Sequence, residues 1–117
     1  MKTAILTSLA LALISQTAAY AASCLPDSCT GQISLLDIDA NGDAYVALAG
    51  GLTGLTGCTP NQGAYQYFTL SSASTNWTLV YNTLLAAQSS GLGVSIAAVA
   101  GSTGCTIKYV ATIRYGL

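Results

Sequence analysis

The chain has 117 residues, of which 52% are hydrophobic and only 6% charged: three Lys or Arg, four Asp, and neither Glu nor His, for a net charge of −1. Acid–base catalysis draws mostly on His and Glu, so this composition argues against an enzyme and for a module that binds or assembles. Phosphate recognition needs clustered Lys and Arg, so nucleic acid is excluded as a partner.

The first segment reads as a secretory signal peptide, residues 1–21. Lys2 supplies a positive n-region, Ala4 to Ile14 an apolar h-region, and Ala19-Tyr20-Ala21 a small-x-small cleavage site. The apolar run is far shorter than the ~20 residues a membrane span needs. Cys24 raises the rival of a lipoprotein signal, but Ala21-Ala22-Ser23 lacks the Leu that usually opens that box. Residues 22–117 then form a single exported domain with cations at Lys108 and Arg114 and carboxylates at Asp27, Asp37, Asp39 and Asp43. A surface so poor in charge either buries apolar area in a homo-oligomer or is a bland, soluble face of Ala, Thr, Ser and Gly.

Four cysteines, Cys24, Cys29, Cys58 and Cys105, are an even set in an exported chain, for which disulfides are the default. Zinc is disfavoured because there is no C-x-x-C pair and no His. No cofactor is expected.

Cys24 to Cys29 encloses the turn-prone Leu-Pro-Asp-Ser. Residues 32–40 read as a strand, Asn41-Gly42 as a two-residue type I′ turn and residues 43–49 as the return strand. Pairing Ala40 with Asp43 sets Ile38 opposite Tyr45 and Leu36 opposite Ala47. Residues 50–57 are a glycine-rich connection, and residues 65–70 a third strand with Phe68 and Leu70 on one face and Tyr65 and Tyr67 on the other. Trp77, Tyr81, Leu84, Leu85 and Gln88 then recur at helical spacing, with Ser74, Thr75 or Asn76 to cap the start and Gly91 to end it. Residues 93–98 and 106–115 supply two more strands around a turn at 100–104.

The order β-β-β-α-β-β is that of an OB-fold, a small five-stranded barrel that is mainly β with one helix. The alternative is an α+β open sheet with one covering helix. In the barrel the third and fifth strands are parallel neighbours. Cys58 and Cys105 both precede those strands, which favours Cys58–Cys105 and leaves Cys24–Cys29 as the second bridge; four cysteines allow three pairings.

Several stretches resemble a group of short exported bacterial proteins: Cys29-Thr-Gly-Gln-Ile33, the Asn-Gly hairpin into Ala44-Tyr-Val46, Tyr67-Phe-Thr-Leu70, Tyr81-Asn-Thr-Leu-Leu-Ala-Ala-Gln88, a glycine-led strand at Gly93, and Gly104-Cys-Thr-Ile-Lys-Tyr109. At the level of fold the order is similar to that of bacterial toxin B subunits, including the subtilase cytotoxin B subunit. That resemblance implies an OB-fold, ring assembly and recognition of a glycan or partner protein. It carries no sugar-binding residue over to this chain.

Three local motifs remain. Asp37-x-Asp39-x-Asn41-Gly42-Asp43 matches the first half of an EF-hand loop, which would give Asp39, Asn41 and Asp43 as calcium ligands. Its twelfth position is Leu48 instead of Glu, and its flanks alternate as strands, so a hairpin with a polar turn is the simpler reading. Asn76-Trp77-Thr78 is a glycosylation sequon at a helix start, where Asn and Thr are ordinary capping residues. Asn61, Gln62, Tyr65, Gln66 and Tyr67 combine aromatic rings with amides, the combination that suits a carbohydrate. The competing reading has these tyrosines covering the barrel or packing on a neighbouring subunit.

Overall fold

The structure is a computed structural model, and it describes residues 21–61 and 66–114. The expected signal peptide (apart from Ala21), Gln62, Tyr65 and the expected strand end at Tyr115 lie outside the described residues.

The fold is mainly β with one helix: β1 (Ser23–Leu25), β2 (Ser28–Ile38), β3 (Ala44–Leu48), β4 (Phe68–Leu70), α1 (Trp77–Ser90), β5 (Gly93–Ala98) and β6 (Ile107–Ile113). The strands form one six-stranded antiparallel sheet, ordered β4-β3-β2-β5-β6, with β1 added on β2. One strand more is present than the sequence reading expects. Pro26-Asp27 is a two-residue turn, and the flanking residues pair as Leu25↔Ser28 and Cys24↔Cys29. The segment read as a turn-rich tip is therefore a hairpin, because Ser28–Thr30 also finds a ladder partner in β5.

β2 positions everything else. Its first half pairs with β1 and β5, its second half with β3. The transition falls at Ser34, where two β2 residues oppose Ala47, and the Ser34 hydroxyl donates to the Ala47 carbonyl at 3.3 Å. Such a bulge bends the strand and increases its twist, which lets one strand serve both halves.

The β2–β3 hairpin corrects the expected register by one residue. Ile38 faces Ala44, Asp37 faces Tyr45 and Leu36 faces Val46. The loop is three residues long, closed by the Asp39 N–H donating to the Asp43 carbonyl, with Gly42 at φ 89°. This is the pattern of a turn followed by a left-handed residue, and it competes directly with a two-residue Asn-Gly turn. Asp39 decides the outcome: its Oδ1 accepts the N–H groups of Asn41 and Asp43 at 2.8 and 3.1 Å. A one-residue slip reverses which side chains share a face, and the observed register puts Leu36 opposite Val46 on the core side.

The core lies under that face. Val46, Phe68, Leu84, Val94, Ile96 and Cys105 are wholly buried and belong to one cluster with Leu48, Leu52 and Leu55. Each large side chain there contributes about 1.5–3 kcal/mol relative to exposure. The helix contributes Leu84 and Ala87, with Val80 half-buried. Its buried stripe is narrower than the spacing predicts: Leu85 and Gln88 are exposed, while Trp77 stacks on Tyr81 at 4.9 Å along the flank. Asn76 stands at the N-cap without a side-chain cap bond. The far end follows expectation. Gly91, at φ 71°, donates to the Gln88 carbonyl while Leu92 donates to that of Ala87, the double closure that only a left-handed residue permits.

Both disulfides pair as the strand order implies, Cys24–Cys29 and Cys58–Cys105, with Cα separations of 4.0 and 5.2 Å. Two disulfides indicate folding in an oxidising compartment, extracellular or periplasmic. Thr69 of β4 forms an isolated parallel bridge with Thr106, the residue before β6, and the Thr69 N–H donates to the Cys105 carbonyl at 3.1 Å. No helix among the described residues is long and apolar enough to cross a membrane.

Candidate functional site

On the sheet face opposite the core, Asp37, Tyr45 and Thr69 form a row across β2, β3 and β4. Side chains alternate along a strand, so Tyr67 lies on this same face while Phe68 and Leu70 turn inward. Tyr67 pairs with Asn61 across a short antiparallel bridge. Asp37, Tyr45, Asn61 and Tyr67 together line an open concavity of about 370 Å3.

Its walls are aromatic. The Tyr45 and Tyr67 rings stand 5.8 Å apart at 59°, forming a corner. Two of the polar groups are held from behind. The Tyr45 hydroxyl donates to Asp39 Oδ2 at 2.7 Å, and Asn61 Nδ2 donates to Thr69 Oγ1 at 2.7 Å. Gly104, at φ 84°, allows this last contact: a Cβ there would lie 2.9 Å from Thr69 Oγ1 and 3.3 Å from the Asn61 amide.

The electrostatics are one-sided. The Tyr45 hydroxyl is pushed up to about 12, first by its bond to Asp39, then by partial desolvation and by the charges of Asp39, Asp43 and Asp37. Asp39 is held below the usual carboxylate range, chiefly by the same Tyr45 bond and further by the N–H groups of Asn41, Asp43 and Gly42, against an opposing desolvation. Neither Lys108 nor Arg114 lines the hollow.

Of the five residues read as a binding face, Asn61 and Tyr67 come together here. Gln66 does not: its Oε1 accepts the Leu52 N–H at 3.2 Å and lines a separate hollow with Ser34, Ala47 and residues 48–51. That hollow is larger, about 470 Å3, but its walls are mostly small side chains and backbone, and it gathers no charged group. Asp37 and Tyr45 stand outside the expected binding face, because a two-residue turn sets Tyr45 against Ile38 where the structure sets it against Asp37. The signal was present: an Asp two residues before Asn41 competes for the turn's N–H groups.

Of the three residues that a calcium loop would use, two have side chains engaged in hydrogen bonds within the protein. Both Asp39 oxygens accept hydrogen bonds, and Asp43 Oδ1 accepts the Ser72 N–H at 2.7 Å. Asn41 is exposed beside them. No group of three His, Cys, Asp or Glu among the described residues is arranged to hold a metal ion. In the sequon, Asn76 and Thr78 are exposed at the start of α1.

The chain matches no family model, no curated protein and no solved structure.

Proposed function

We propose that this chain is an exported, non-catalytic binding module that recognises a glycan through the concavity lined by Asp37, Tyr45, Asn61 and Tyr67. The aromatic corner carries this reading. Two rings tilted against each other offer apolar faces to sugar C–H groups, and the adjacent amide and carboxylate accept hydroxyl hydrogens. The module is an OB-like barrel in this proposal, with ring assembly in the manner of toxin B subunits. Support comes from the bent β2 shared by both halves of the sheet and from the Thr69↔Thr106 contact between β4 and β6. Cleavage of the leader near Ala21 would leave Ala22, whose N–H donates to the Ala49 carbonyl at 2.7 Å, as the first residue tied into the sheet.

The test is a glycan-array screen of the oxidised mature protein, followed by titration calorimetry on the best binder. A specific saccharide bound by the parent and lost in Tyr67→Ala is the expected result. Wild-type affinity in that variant removes the site.

A second reading, a structural or cell-surface protein that self-associates and takes no small ligand, draws on a different observation. Leu25, Leu79, Leu85, Val99 and Tyr109 are large apolar side chains left exposed, Leu79 to 69%. Light scattering behind a sizing column separates the two. Open-ended association with no saccharide binding favours this second reading, and a discrete ring favours the first.

A further inference from the structure

We infer that the ligand of this concavity is a positively charged glycan, one carrying free 2-amino-2-deoxy sugar units; the inference rests on the glycan reading above. Three features set the class. The hollow has no cationic donor: no Lys or Arg lines it, the Tyr45 hydroxyl hydrogen is committed to Asp39 and one Asn61 amide hydrogen to Thr69. It carries an anionic acceptor, the exposed Asp37 carboxylate on the residue directly across the strand pair from Tyr45, and Asn61 also lines it. Its two rings, 5.8 Å apart and tilted by 59°, present π-faces that attract a cation lying within about 6 Å of a ring centroid.

A protonated sugar amine satisfies all three at once. Its ammonium donates to Asp37 in a charge-assisted bond, which is stronger than a neutral one. Its positive charge sits against the tyrosine faces, and the C–H face of the same ring packs in the aromatic corner. An N-acetylated sugar loses the charge and most of the donor capacity. A carboxylated sugar meets the Asp37 carboxylate in the hollow, with the charges of Asp39 and Asp43 acting on the adjoining Tyr45 and no Lys or Arg in the lining to receive it.

The experiment titrates the oxidised protein with glucosamine oligosaccharide, its N-acetylated counterpart and a sialylated oligosaccharide, at mildly acidic pH and low salt, by calorimetry. Expected is binding of the free-amine oligomer, with the N-acetylated form roughly ten-fold or more weaker. Asp37→Asn, an exposed site whose substitution leaves the core untouched, is expected to erase that preference while an unchanged far-UV spectrum reports an intact fold. Equal binding of both oligomers, indifferent to Asp37→Asn, overturns the inference and leaves the glycan reading standing. Tighter binding of the sialylated form does the same. Absence of binding to any saccharide removes the glycan reading, and this inference with it. A lysine ester bound as tightly as the oligosaccharide overturns the assignment to a sugar.

Discussion

The two disulfides join very different parts of the molecule. Cys24–Cys29 links residues five apart that already face each other across a hairpin. Cys58–Cys105 spans 47 residues and ties the approach to β4 to the start of β6. The first bridge duplicates a register that hydrogen bonds impose. The second lies where no continuous strand ladder runs: individual backbone bonds flank it, Gly101 N–H to the Gly57 carbonyl at 2.7 Å, Thr59 N–H to that of Ser102 at 3.0 Å and Gly104 N–H to that of Thr59 at 2.6 Å, together with the isolated bridges Thr59↔Thr103 and Thr69↔Thr106. Cross-links therefore matter most where ladders are short. Here the long-range one stands directly behind the candidate site, since Gly104 and Thr69 support Asn61.

The largest expected effect tests this contrast. Loop-closure entropy assigns about 4 kcal/mol to a bridge closing nearly fifty residues and about 2 kcal/mol to one closing six. Replacing Cys58 and Cys105 together by Ser is expected to cost about twice the stability lost on replacing Cys24 and Cys29, by urea denaturation. Only the first pair of substitutions is expected to weaken ligand binding in the protein that remains folded. Equal losses would mean that the hairpin bridge also holds long-range structure, for instance through the Pro26 carbonyl that accepts the Gly57 N–H at 2.6 Å.

Gly104→Ala sharpens the comparison without touching a cysteine. A side chain at φ 84° costs about 1–2 kcal/mol, and the new Cβ must displace Thr69 or Asn61. A matching fall in melting stability, with weaker binding, is expected. Gly101→Ala serves as the control: φ is 73° there, but no atom lies within 4 Å of the added Cβ. It is expected to lose stability and keep binding.

The smallest effect concerns the Tyr45–Asp39 pair. Asp39 has a lowered folded-state pKa, so its contribution is present above the unfolded value of 3.8 and disappears as pH falls through the lower folded value. Tyr45 is raised from 10.0 to about 12, so its contribution is complete below pH 10 and is lost as pH rises toward 12. Ultraviolet titration is expected to show one tyrosine ionising near 12, absent in Tyr45→Phe and shifted back toward 10 in Asp39→Asn. The stability difference between parent and Tyr45→Phe is expected to vanish at both ends of this window.

Much of this architecture is legible in local chemistry. Residues 93–98 and Gly91 fall where expected because Val94 and Ile96 alternating about Ser95, and a helix-ending glycine, need no distant partner to declare themselves. The cysteine pairing is the one that the barrel topology favours among the three that four cysteines allow. The candidate site was legible only in part. Asn61 and Tyr67, expected on one face, do line one concavity, but Gln66 bonds the Leu52 N–H in a different loop, and the one-residue shift in register conceals the pairing of Asp37 with Tyr45.

The sequence by itself determined the composition of the possible chemistry, the single helix, most strands and the even set of cysteines, since these depend on residue type and spacing along the chain. Tertiary structure decided the rest. Asp39 chose a three-residue turn by bonding two N–H groups and a phenol, and that choice set which side chains share the outer face. Asp37 met Tyr45, and Tyr67 approached it from β4, because the bulge at Ser34 and the Cys58–Cys105 link bring together segments that no periodicity in the chain relates.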